Sequence, residues 1–207
     1  MTSRRDFIKK SAFASAFVIG GLPKFGKAKL LPYSNGLTKP IVISTWGHGI
    51  PANEAAWKIL AAGGRALDAV EQGVMIPEAD PHNTSVGLGG NPDRDGHVTL
   101  DASIMDEKGN AGSVAFLEHI LHPISVARMV MEKTPHVMLV GEGAYQFALE
   151  NGFKKSDQGM TPEVKAAWEK WKKENAYKPH SGGEGGKNNH DTIGMVALDN
   201  NGDLSGA

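Results

Sequence analysis

His190-Asp191-Thr192-Ile193-Gly194-Met195-Val196-Ala197-Leu198 is the stretch on which the reading of this chain turns. A glycine-rich loop, Ser181 to Asn189, runs straight into it. The run from Thr192 to Leu198 is apolar and β-branched, and it reads as a buried strand. Thr192 therefore stands where a flexible loop becomes a rigid strand. A cut at that point spares the sheet and leaves a new N-terminal threonine held by the strand behind it. Such a threonine is a compact catalyst: its hydroxyl attacks, and its own α-amine takes the proton. With a pKa of about 7.7–8, roughly a tenth to a fifth of that amine is neutral at pH 7. The position also suits a threonine chosen for strand propensity after the ordinary turn residues Asn189, His190 and Asp191. The loop from about Ala176 to Asn189 is long for a compact domain, and loops of that length are functional or disordered.

Working outward, the 207 residues carry a formal net charge of −1, 40% hydrophobic side chains and no cysteine. That composition fits one globular domain with a real core, and it argues against a nucleic-acid binder or a disordered tail. Without cysteine there are no disulfides and no thiol catalysis. At the N-terminus, Ser3-Arg4-Arg5-Asp6-Phe7-Ile8-Lys9 is a twin-arginine pattern, followed by a short apolar segment from Ser11 to Leu22 and a small-residue exit at Gly26-Lys27-Ala28. The segment is too short to span a bilayer comfortably and has the size of a signal peptide's apolar region. It resembles a Tat export signal. Residues 1–28 are therefore set aside as a signal and 29–39 as a lead-in. A periplasmic or secreted protein without stable membrane insertion is expected.

Pro40 to Thr45 reads as a strand buried on both faces. Asn53 is positioned to cap a helix carrying Trp57, Leu60 and Ala61 on one face, stopped by Gly63-Gly64. Leu67, Val70 and Val74 mark a second helix that fades near Pro77. The glycines of Ser85-Val86-Gly87-Leu88-Gly89-Gly90 tempt a phosphate-loop reading. No Lys-Ser pair follows, however, and Pro92 to Gly96 is a turn rather than a helix start. These glycines are read instead as allowing close backbone approach beside a pocket. Strands follow at 98–105 and 112–117, joined through Asp106 to Asn110. A helix begins at His122-Pro123, a short buried strand spans 137–140, a helix runs from 142 to 150, and Thr161-Pro162-Glu163 starts another whose stripe is Val164, Trp168 and Trp171. His119 and His122 are three apart without a zinc-protease pattern, so neither metal nor cofactor is expected.

Several segments then carry a likeness. His190 to Asp199, Pro40 to Trp46, Ser85 to Gly90, Pro92 to Gly96, Leu100 to Asp106 and Pro123 to Gly141 resemble, in order, segments of glycosylasparaginases. These are N-terminal-nucleophile amidases. Some of the segments also resemble plant-type L-asparaginases and isoaspartyl peptidases; His-Asp-Thr-Ile-Gly is the more specific one. The resemblance implies an α+β fold of the αββα four-layer sandwich type and cleavage of the amide between asparagine and N-acetylglucosamine. It makes Thr192 the nucleophile of both self-cleavage and hydrolysis, and Asp191 the owner of a scissile carbonyl held under strain. His190 would orient Asp191 or carry a proton. Ser85 would contact the nucleophile's α-amine, and Trp46 would line the substrate pocket. His48 departs from the aromatic residue the family often has there.

The resemblance also implies a further C-terminal subunit bearing an assisting threonine, an Arg/Asp pair for the substrate and oxyanion donors. Residues 40–191 are then the α-subunit part, and 192–207 open the β subunit. The chain is expected to be the first two-thirds of a precursor, with the strands flanking Thr192–Leu198 lying after Ala207. Its partners would be glycosylasparagine, its own C-terminal subunit and further copies of itself as a homo-oligomer, but no nucleic acid. A plant-type asparaginase, or a truncated non-catalytic remnant, is the alternative.

Overall fold

The structure is a computed structural model that describes residues 38–156, 159–174 and 192–207. The signal, most of the lead-in, the glycine-rich loop, His190 and Asp191 lie outside the described residues.

The alternation of small and branched residues in Ile41–Ser44 (β1), Leu100–Met105 (β2), Ala111–Leu117 (β3), Met138–Val140 (β4), Met195–Leu198 (β5) and Leu204–Gly206 (β6) builds one mixed sheet, ordered β1-β5-β6-β2-β3-β4. Among the described residues, β3 and β4 pair in parallel and the other pairs are antiparallel. Helices Gly49–Ala61 (α1), Ala66–Ala79 (α2), Pro123–Lys133 (α3) and Gly141–Glu150 (α4) pack on it, while Pro162–Glu174 (α5) reaches a loop through Trp168, whose Nε1–H donates to the Asp93 carbonyl at 3.0 Å. The described region is thus an α+β fold.

Strand register shows that the helices share one side. On β5, Met195 is 2% exposed and Ala197 is buried with it against α2, whereas Val196 between them is 48% exposed. Ile104 and Val114 face the same covered side, and a side chain at Gly112 would run into the α3 backbone. On the other side, Ile43, Val196, Leu204, Met105, Met138 and Val140 all stand open to solvent. The pairings Ile43↔Val196, Val196↔Gly206, Met105↔Gly206 and Ser113↔Met138 place them on a common face.

Five expectations are corrected. β1 is not buried on both faces, because helices cover only one, and Ile43 is 60% exposed. The 137–140 strand is likewise open rather than buried. Asn53 caps nothing: α1 starts at Gly49, where Gly49 N–H and Ile50 N–H donate to the Trp46 and Gly47 carbonyls and close the first turn ahead of Pro51. On the same helix the packing face is Ala52, Ala56 and Leu60, and Trp57, expected on that face, is 46% exposed. The flanks of β5 do not wait for residues after Ala207, since β1 pairs with one edge and β6 with the other. Met195 and Ala207 exchange both backbone bonds at 2.8 and 2.9 Å. Asp199 holds that hairpin by accepting from Asn201 N–H and Asp203 N–H, and its other oxygen accepts from Ala66 N–H at the start of α2. A strand paired on both edges leaves few backbone groups unsatisfied.

Candidate active site

Thr192 stands three residues ahead of β5, and the first support for it comes from the neighbouring β1. Thr45 N–H donates to the Gly194 carbonyl at 2.9 Å, and Gly194 N–H donates to the Thr45 hydroxyl at 2.9 Å. In a continuing antiparallel ladder the second bond would go to the Thr45 carbonyl. The hydroxyl takes it instead, and the chain leaves the strand at the next residue. That residue is Trp46, whose φ of 64° lies in the left-handed region. A non-glycine residue held there carries strain of about 1–3 kcal/mol, maintained by its surroundings. Trp46 is 48% exposed. Ile193, buried at 8%, anchors Thr192 from the other side of the junction.

Thr192 and Ser85 line one cavity of about 830 Å³. One wall is built by the loop between α2 and β2. Asn83 Oδ1 accepts from Ser85 N–H at 2.9 Å and Val86 N–H at 3.3 Å, an Asx turn that presents Ser85. Gly87, with φ of 76°, then lets the loop lie directly on the backbone of Glu78, where any side chain would collide with the Glu78 carbonyl. The glycines therefore serve close approach beside a cavity, as their spacing suggests. Pro92 to Gly96 is a turn, closed by Asp93 Oδ1 accepting from Asp95 N–H and His97 N–H.

The cavity brings together Thr192 and Ser85 but not Trp46, which is absent from its lining; Trp46 is linked to Thr192 through Thr45 and Gly194. Sequence reasoning missed two residues here. Thr45 looked like one more β-branched strand residue, although a hydroxyl at a strand end is a ladder-terminating signal. Glu78, just past the point where the second helix was expected to fade, was not singled out, yet it is 3% exposed and lines the cavity. Its Oε1 accepts from Ile124 N–H at 3.0 Å, and His122 Nδ1 lies 3.3 Å from Oε2. Burial pushes its carboxyl up to about 7, against the opposing pull of His122 and the Ile124 N–H. His122 and His119 serve different partners, since His119 lies edge-on to Tyr145 and 3.9 Å from Glu118. Among the described residues no group of three or more His, Cys, Asp or Glu side chains could hold a metal ion. Among them, too, no helix is long and apolar enough to cross a membrane.

The sequence of this α+β chain, with Thr192 and Ser85 on one cavity, matches known proteins. The sequence profile described as asparaginase matches residues 50–207. The chain belongs to this asparaginase family. It is 57% identical over 207 residues to the N(4)-(beta-N-acetylglucosaminyl)-L-asparaginase of Elizabethkingia miricola, an alignment covering 99% of this chain and 59% of that protein. The enzymes of that name from Rattus norvegicus and Mus musculus are each 46% identical over 119 residues, covering 57% of this chain and 34% of theirs. The chain thus spans between a third and three-fifths of the length of these relatives.

Proposed function

We propose that the full-length protein is a self-processing amidase that hydrolyses the bond between asparagine and N-acetylglucosamine, with Thr192 as nucleophile. The observation that carries this reading is Thr192 at the head of a fully paired strand, on the same cavity as Ser85. The name of the 57%-identical relative supports the substrate class.

In processing, the Thr192 hydroxyl attacks the Asp191 carbonyl and the peptide C–N bond gives way to an ester. Water then hydrolyses that ester, leaving a carboxylate on Asp191 and a free α-amine on Thr192. In turnover the same hydroxyl attacks the substrate's side-chain amide carbonyl. The α-amine takes the hydroxyl proton and passes it to the departing glycosylamine, and water releases aspartate from the aspartyl-threonine ester. Ser85 holds the α-amine, His190 orients Asp191 or carries a proton, and Trp46 borders the substrate.

The finer architecture follows from the same reading. The apolar face of the sheet, with Ile43, Val196, Leu204 and Met138 open, suits a second sheet laid across it, giving the αββα sandwich. Residues 40–191 would form the α-subunit part and 192–207 the start of the β subunit. Residues 1–28 would direct export to the periplasm or beyond through the twin-arginine route, and the mature enzyme would assemble as a homo-oligomer. The test is turnover by the purified full-length protein of glycosylasparagine and of free asparagine side by side. Faster release of aspartate from glycosylasparagine is expected. Turnover of asparagine alone would assign a plant-type asparaginase instead, and turnover of neither would remove the amidase reading.

A further inference from the structure

We propose that Glu78 is a positioning residue for the Thr192 cavity: its side chain fastens the first turn of α3 while its backbone seats the loop that presents Ser85. The proposal rests on the amidase reading only for its kinetic consequence.

The geometry is two-sided. From the C-terminal end of α2 the carboxyl crosses to the start of α3, where Oε1 accepts from Ile124 N–H and Oε2 meets His122 Nδ1. A helix start is ordinarily capped by a short side chain just before the helix, and His122 makes no such side-chain cap here. The cap comes instead from another helix, through a side chain only 3% exposed. On its other side the Glu78 carbonyl is the surface on which Gly87 rests, and Gly87 accepts from Gly90 N–H at 2.9 Å while Thr84 accepts from Asn91 N–H at 3.1 Å. Ser85 lies between these bonds. Glu78, Ser85, Gly87, Ile124 and Thr192 all line the one cavity. The main chain under the Ser85 loop is thus that of the same residue whose side chain caps α3.

Two variants of the full-length protein test it. Glu78→Asp withdraws the carboxyl by one methylene, so it no longer spans both partners, while Glu78→Gln keeps the reach and an acceptor for Ile124 N–H. Amide hydrogen exchange is followed over residues 83–91 and 123–127, beside steady-state turnover of glycosylasparagine. With Glu78→Asp, exchange is expected to quicken in both segments, and kcat to fall about tenfold with KM held within about twofold, the pattern of a mispositioned group rather than lost binding. Glu78→Gln should restore protection of 123–127 and recover most of kcat. Faster exchange in 123–127 alone, with 83–91 and kcat unchanged, would overturn the proposal and make Glu78 a plain helix cap. If the wild-type protein turns over no glycosylasparagine, the amidase reading fails, and exchange over 83–91 still decides the role of Glu78.

Discussion

At the scale of single residues, burial decides what a side chain can do, and Glu78 shows this most clearly. Its carboxyl, held at about 7 against an ordinary 4.5, keeps in the folded state a proton that the unfolded chain has released across that interval. Stability should therefore fall as pH rises from about 4.5 to about 7, and the loss should be complete above the folded value. The groups acting on it are His122, which lowers the value, and Glu71, which raises it. The shift corresponds to a loss on the order of 3 kcal/mol. Glu78→Gln does not titrate, so its stability relative to wild type, measured by chemical denaturation, should rise by that order between the two pH values. A difference that stays flat with pH would show that the carboxyl is not desolvated. The place of Thr192 just ahead of a strand was legible in the sequence, because an apolar, β-branched run begins there. Glu78 was not, because nothing in the spacing of α2 distinguishes a glutamate reaching into a neighbouring helix from one reaching into water.

At the scale of elements, the junction of β1 and β5 positions the candidate site. The Thr45 hydroxyl ends the ladder at Gly194 and releases Trp46 into its left-handed turn. Thr45→Val keeps the branched shape and removes the acceptor, leaving Gly194 N–H to water at an exposed position. A loss of about 1 kcal/mol is expected, with Thr45→Ser close to wild type. Equal stability of Thr45→Val and wild type, read by thermal or chemical denaturation, would mean that the backbone alone holds the junction. The strands and helices themselves were mostly legible, for periodicity and punctuation such as Gly63-Gly64, Asp106 to Asn110 and Thr161-Pro162 mark them. Thr161 Oγ1 indeed accepts from Val164 N–H at 3.3 Å. What failed was burial. An apolar run such as 137–140 announces a strand but not which face is covered, and Asn53 looked like a cap only because the start of α1 is fixed by turn bonds at Trp46 and Gly47.

At the scale of the whole molecule, the described residues cover the sheet on one side, and its open apolar side supports the second layer proposed above. Burying Val196 under such a layer is worth about 1.5–3 kcal/mol relative to exposure. Val196→Lys in the full-length protein should therefore cost at least about 2 kcal/mol, whereas an uncovered position would tolerate it within about 0.5 kcal/mol. The most direct test of the central claim, that Thr192 is the self-released nucleophile, is the intact mass and N-terminal sequence of the purified full-length protein beside its Thr192→Val variant. The wild type should yield two fragments, the second beginning at Thr192, and the variant a single uncut chain. A variant cut at the same bond, or a wild type that turns over glycosylasparagine without being cut there, would contradict the claim.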